Sequence, residues 1–275
     1  MNSPDERHRT FPTLFQSLLI IGFLFLVEIV VAVLYVGFAG HFESGDPVAT
    51  GVIIGLANLI LFWLLLRYKN LSVAELLHPG PSSPRAVMLL LTVPVLLLFS
   101  GAAIVMSDLL QWLLTLIPMT QGQYETFRRL MSGGVVSLLL ACVLAPVVEE
   151  LLCRGFFLRS FLRQYSPVQA IVFSSAVFAI FHMNIFQALV GFTIGAALGW
   201  IAVRAQSLWP CVLGHATYNF ACYGLSAGVF EGERVAGAAG IPLFVHMLAF
   251  LFVGIGGLML WKVLGGSVAA GRQAE

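Results

Sequence analysis

Eight apolar runs constrain this chain more than any other feature, because most approach the ~20 residues a helix needs to cross a bilayer. They fall at about 12–39, 48–67, 86–107, 134–160, 167–183, 186–204, 208–225 and 241–262. A backbone in lipid must satisfy its own N–H and C=O groups, so such runs fold as helices packed side by side. Composition agrees. The chain is 59% hydrophobic and 10% charged, where a soluble domain carries roughly 25% charged residues. The expected fold is therefore all-α: a polytopic membrane protein of about eight transmembrane helices. A helical domain over 12–264 lies between short tails at 1–11 and 265–275, and no polar stretch is long enough for a separate soluble domain. A net charge of +1 gives no hint of nucleic acid.

The first run, Leu14 to Ala39, is too long for a signal-peptide core and lacks a convincing cleavage site, so it reads as a retained helix. Between the third and fourth runs, Asp108 to Met131 mixes Trp112, Tyr124 and Phe127 with polar residues. That mixture suits an amphipathic segment lying at the interface. With the N-terminus inside, eleven of the fourteen Lys and Arg residues fall on the inner side. Arg128, Arg129 and Arg234 are left outside. By the positive-inside rule both termini are cytoplasmic, which agrees with an even number of spans. The setting is a cell membrane, with a prokaryotic inner membrane expected from the compact chain rich in Ala, Gly and Arg. The four cysteines, Cys142, Cys153, Cys211 and Cys222, sit in or beside apolar runs without CxxC spacing, and read as buried small hydrophobes.

Against this background a few polar residues stand out. Glu149 and Glu150 follow directly on the apolar run Val135 to Val148. A charge near the bilayer centre costs about 3 kcal/mol on insertion scales, so each acid needs a partner, a wet cavity or a chemical role. Arg154 lies one helical turn after Glu150 and can pair with it, leaving Glu149 on a neighbouring face without that partner. His182 ends Phe178-Ala179-Ile180-Phe181-His182, with Asn184 close behind. His215 and Asn219, four apart, share a face of the seventh run. Ion-paired or snorkelling acids and hydrogen-bonded core histidines are the plainer reading of each residue taken alone. Glu28, Asn58, Asp108 and His246 have no companions in sequence and read as structural or interfacial. Cys211 shares a face with His215, which is weak evidence for a metal.

The fourth and fifth runs meet at a turn around Gln164-Tyr165-Ser166-Pro167, and Pro167 suits a helix's first turn. Glu149 lies as far before that turn as His182 lies after it. Each is then about 24 Å along its helix, so acid and imidazole match in height. His215 and Asn219 lie about 8–18 Å into the seventh helix, somewhat shallower, and a cavity open to the cytoplasm would join them.

Glu149-Glu150-x-x-x-Arg154, then Phe178-x-x-x-His182, then His215-x-x-x-Asn219 resemble the three motifs of the CAAX prenyl protease type II family. This family is also grouped with bacteriocin-processing proteins as CPBP or Abi. The motifs occur in the family's order, on runs four, five and seven, and place a CPBP-like core at about 134–225. The resemblance implies an intramembrane endopeptidase acting on membrane-associated or lipidated peptides or proteins, either CAAX-type or in bacteriocin and peptide processing. It implies that Glu149 with His182 activates a water, that His215 and Asn219 stabilise the oxyanion, and that Arg154 holds Glu150 as support. Oxygen and nitrogen ligands of the zinc type are present in Glu149, His182 and His215, yet there is no HExxH helix. A metal-free glutamate mechanism is favoured, with a divalent metal such as zinc on those three residues as the alternative. The implied partners are membrane lipids and a peptide or lipidated protein, with the site open to the cytoplasmic side. Two other readings fit the same residues: a non-catalytic scaffold or immunity factor binding peptide in that cavity, and a small proton-coupled transporter. No inverted repeat supports transport.

Overall fold

The structure, a computed structural model of the chain, describes residues 10–265 except 42, 44, 133 and 231–240. The tails expected at 1–11 and 265–275 therefore fall almost wholly outside the described residues. Within them the chain is helical: α1 Leu14–Ala39, α2 Pro47–Lys69, the short α3 Val73–Leu77, α4 Pro84–Leu116, α5 Gln121–Ser132, α6 Gly134–Phe161, α7 Pro167–Phe181, α8 Ile185–Ala205, α9 Trp209–Phe230 and α10 Leu243–Gly265. Every expected apolar run becomes a helix. Among the described residues, six are long and apolar enough to cross a membrane: α1, α2, α4, α6, α8 and α10. The other two depart for visible reasons. Helix α7 has only 15 residues, and α9 carries His215, Thr217 and Asn219 in its middle. This is a multi-pass membrane protein. Its outward side chains are large hydrophobics such as Phe15, Leu26, Ile29, Val33, Leu59 and Leu89, as a lipid-facing surface requires.

One boundary differs from expectation. Asp108 was expected to begin an interfacial segment, but α4 continues through it to Leu116. Asp108 Oδ2 meets His246 Nδ1 of α10 at 3.1 Å, so its charge has a partner and does not break the helix. The break comes at Ile117, whose extended backbone is what the following Pro118 demands. The amphipathic helix follows as α5, where Arg128 pairs with Glu125 at 3.0 Å.

Capping explains the turns. Thr13, Ser72 and Ser166 each form a capping box with the Gln or Glu three residues on, and Pro47, Pro84 and Pro167 sit in first turns. Gln164, in the α6–α7 turn, donates to the Thr10 and Pro12 carbonyls and ties the N-terminal segment to that end of the bundle.

The buried side chains form two clusters. One joins α1, α2, α3, α6 and α7 around Leu24, Leu61, Phe157, Phe161 and Phe178. The other joins α4, α8, α9 and α10 around Phe99, Leu198, Ile201 and Leu260. In the second, small residues bring the backbones together: a Cβ added at Gly101 would lie 2.5 Å from the Ala249 carbonyl oxygen, and one at Gly256 would lie 2.6 Å from the Leu98 nitrogen. Membrane helices pack by such close approach, since lipid supplies no hydrophobic drive between them.

Candidate active site

The site lies where the two clusters meet, and the geometry of α6 aims its acids there. Residues Leu140–Leu144 and Leu151–Leu158 wind as π-helix on either side of Ala145–Glu150. Wide turns of this kind shift side chains off the ordinary helical register and free backbone carbonyls for other donors. Asn219 of α9 uses one of them, its Nδ2 donating to the Ala141 carbonyl at 2.7 Å.

Glu150 is fully buried. Its Oε1 accepts from Arg154 Nη1 at 3.0 Å and meets His215 Nδ1 at 2.9 Å. Arg154 Nη2 donates in turn to the Gly195 carbonyl of α8 at 2.9 Å, and the guanidinium lies over the Phe178 ring at 4.6 Å. Three helices, α6, α8 and α9, are thus bound together through one ion pair. Among the described residues, Glu150 Oε2 has no donor and Arg154 Nε no acceptor, and both atoms are buried.

Glu149 faces the other way, as its position beside the paired acid implies. Its Oε2 lies 3.8 Å from His215 Nε2 and 4.0 Å from His182 Nε2, and takes no hydrogen bond among the described residues. Both separations are too long for a direct hydrogen bond and suit groups that share one water. The expected match in height between Glu149 and His182 therefore appears as contact through one water's width. His215, expected to be shallower, stands at the same level. Glu149 and His182 form the open edge, their side chains 14% and 17% exposed, while His215 lies deeper at 7%.

His182 is the residue on which α7 ends. Its Nδ1 lies 2.9 Å from the Phe178 carbonyl, and a carbonyl only accepts, so Nδ1 holds a proton and Nε2 is turned towards Glu149. Asn184, flagged beside it in the sequence, caps α8 by accepting from the Phe186 and Gln187 backbone N–H groups. Cys211 turns its thiol to the Leu198 carbonyl at 3.4 Å and takes no part in the site. All four cysteines are free thiols.

Zinc bonded at about 2.0–2.1 Å in a tetrahedral site would need donor atoms roughly 3.4 Å apart. The Glu149 oxygen stands farther than that from both imidazoles. No group of three His, Cys, Asp or Glu among the described residues is arranged to hold a metal ion. As placed, these side chains do not fit zinc.

Residues 131–221 match the family model described as type II CAAX prenyl endopeptidase Rce1-like. Over this stretch the chain is similar to that family. The match covers about a third of the chain, from the end of α5 into α9, and contains every residue of the site. No curated protein and no solved structure matches the chain.

Sequence reasoning missed two supports of this site. Phe178 was noted only as a motif letter, yet its ring lies under Arg154 and stands edge-on to both His182 and His215, with centroids 4.8 and 5.7 Å away. Gly195 had no signal in sequence at all. A Cβ there would lie 3.0 Å from Arg154 Nη2 and 3.3 Å from Phe178 Cδ1 and Ser175 Cβ. Gly195→Ala should therefore displace the guanidinium and lower the unfolding temperature in detergent, at a cost of about 1–3 kcal/mol. Gly254→Ala, where nothing lies within 4 Å, should leave it unchanged.

Proposed function

We propose that this chain is a membrane-embedded endopeptidase that hydrolyses a peptide bond in lipidated or membrane-associated peptides and proteins, of the CAAX type or in peptide processing. The observation that carries the reading is a carboxylate oxygen one water's width from two imidazole nitrogens, inside a bundle similar to the Rce1-like family over residues 131–221.

In this mechanism a water bridges Glu149 and His182. Glu149 takes one proton while the Nε2 lone pair of His182 accepts the other O–H and aims the oxygen. The water oxygen attacks the scissile carbonyl carbon, and the carbonyl oxygen becomes an oxyanion. His215 Nε2–H and the second Nδ2–H of Asn219 hold that charge. Glu149 then returns the proton to the leaving nitrogen and the C–N bond breaks. For this role His215 carries protons on both nitrogens, with Nδ1–H on Glu150. The resting charges of Glu149, Glu150, Arg154 and His215 then sum to zero, and the whole site stays neutral when a proton moves from water to Glu149, because the +1 left on these residues is matched by the negative charge of the oxyanion. A low-dielectric site needs that balance. No metal enters any step. From the charge asymmetry of the sequence, the open edge faces the cytoplasmic side of a cell membrane.

Asn219 provides the test that separates transition-state binding from substrate binding. Asn219→Ala should lower kcat on a quenched lipopeptide by about 10²–10³ with little change in KM. A change confined to KM would make Asn219 a substrate-binding residue. Peptide profiling of membranes from cells with wild-type protein or Glu149→Gln would reveal the substrate, and identical profiles would count against a protease.

A further inference from the structure

Glu28 has no role in the mechanism above, yet its place on α1 is not that of a surface residue. The buried face of α1 runs through Ser17, Ile21, Leu24 and Val31. Glu28 comes four residues after Leu24 and three before Val31, so it belongs to the same inward stripe. The lipid side of the helix is the opposite one, where Leu26, Ile29 and Val33 are 57%, 61% and 65% exposed. Glu28 itself is partly exposed between the buried Leu24 and Val31. A partly open position within an inward stripe marks a gap inside the bundle rather than the lipid surface.

The shortness of α7 accounts for the gap. Gln164 ties the start of α1 to the α6–α7 turn through the Thr10 and Pro12 carbonyls, so α1 and α7 set out from one level. They run side by side as far as Phe25 and Phe181, whose rings stack with centroids 5.8 Å apart. Phe181 is the last residue of α7, while α1 continues to Ala39. Glu28, about one turn beyond Phe25, stands past the end of α7, beside the space that helix leaves. His182 occupies the same end, its ring edge-on to Phe181 at 5.9 Å. Measured from their helix starts, Glu28 and His182 each lie about 21–22 Å along. Glu28 is therefore an inward-facing carboxyl group at the level of the acid site. No hydrogen bond or ion pair joins it to another described residue. An ionised group at this depth calls for an opposite charge or water.

We infer that Glu28 is a specificity-determining residue, whose carboxylate receives a Lys or Arg side chain of the peptide held at Glu149 and His182. The cleavage part of this inference rests on the peptidase reading, and the binding part does not. A cationic side chain brings the opposite charge that the described residues do not supply, whereas an uncharged one of the same length does not. Truncating one member of a desolvated charge pair across an interface weakens binding by at least about tenfold.

The full chain in detergent tests it, with palmitoylated, quenched, alanine-rich peptides in which a single Lys, or its uncharged counterpart norleucine, is stepped along the sequence. At one position the wild type should prefer Lys to norleucine by about tenfold in kcat/KM. In Glu28→Gln, which keeps the size of the side chain, that ratio should fall to about one, and Glu28→Asp should keep part of it. Glu125→Gln, on the exposed α5, should keep the wild-type ratio. Binding of dye-labelled forms of the same peptides to the Glu149→Gln chain, with and without Glu28→Gln, separates this inference from the peptidase reading. If no peptide is cleaved while Lys is preferred in binding through Glu28, the peptidase reading falls and the Glu28 site stands. Cleavage without a Lys preference, or with a preference that survives Glu28→Gln, would overturn the Glu28 site and leave the peptidase reading in place. Equal binding of Lys and norleucine peptides with no cleavage of either would overturn both.

Discussion

Glu149→Gln is expected to abolish cleavage of a quenched lipopeptide, with a loss of at least about 10²–10⁴ in kcat, while folding and membrane insertion stay intact. The amide keeps the size of the carboxylate but cannot take a proton from water, and loss of a positioned general base costs that much. Structural damage should be slight, because Glu149 Oε2 accepts no hydrogen bond among the described residues. The assay should include exhaustive treatment with a strong chelator, which is expected to leave the wild-type rate unchanged. An unaffected rate in Glu149→Gln would remove this residue from the mechanism, and a loss on chelation restored by zinc would overturn the metal-free reading.

Arg154→Met should produce the largest loss of stability. It strips the guanidinium from a fully buried carboxylate and breaks the link to the Gly195 carbonyl. Removing one partner of a buried ion pair costs about 3–5 kcal/mol, and Glu150 would keep only the His215 imidazole as a partner. Glu150→Gln in the same chain removes the carboxylate charge, so the double variant should recover much of the loss. Unfolding in detergent measures both. Simple additivity of the two changes would show that the pair is not coupled. The double variant should nonetheless cleave poorly, since His215 would lose the carboxylate that orients its Nδ1.

The readable part of this protein was the part written in runs and spacings. Apolar segments of bilayer length could only become helices, and each did. Pro167 and Ser166 announced the α6–α7 turn by the chemistry of helix starts. Glu150 and Arg154 could be paired because four residues span one helical turn. The Asp108–His246 pair could not be read, since the two are 138 positions apart and neither hints at the other. Nor could the continuation of α4 through Asp108, which depends on that distant imidazole.

The π-helical turns of α6 were hidden for a different reason. They set where the acids point and free the Ala141 carbonyl for Asn219, yet hydropathy alone does not distinguish them from ordinary turns. Phe178 and Gly195 were hidden because their value lies in what they touch: one ring serving three polar groups, and one missing Cβ that leaves room for a guanidinium.

By itself, then, the amino-acid order determined an all-helical membrane architecture and which few polar residues could carry chemistry, because burial in lipid penalises every unpaired charge along the chain. Only the tertiary structure decided that His215 stands level with His182, that Glu150 serves His215 as well as Arg154, and that Glu149 is left facing both imidazoles. Those outcomes depend on distances of a few ångströms between separate helices, which packing sets and local sequence does not encode.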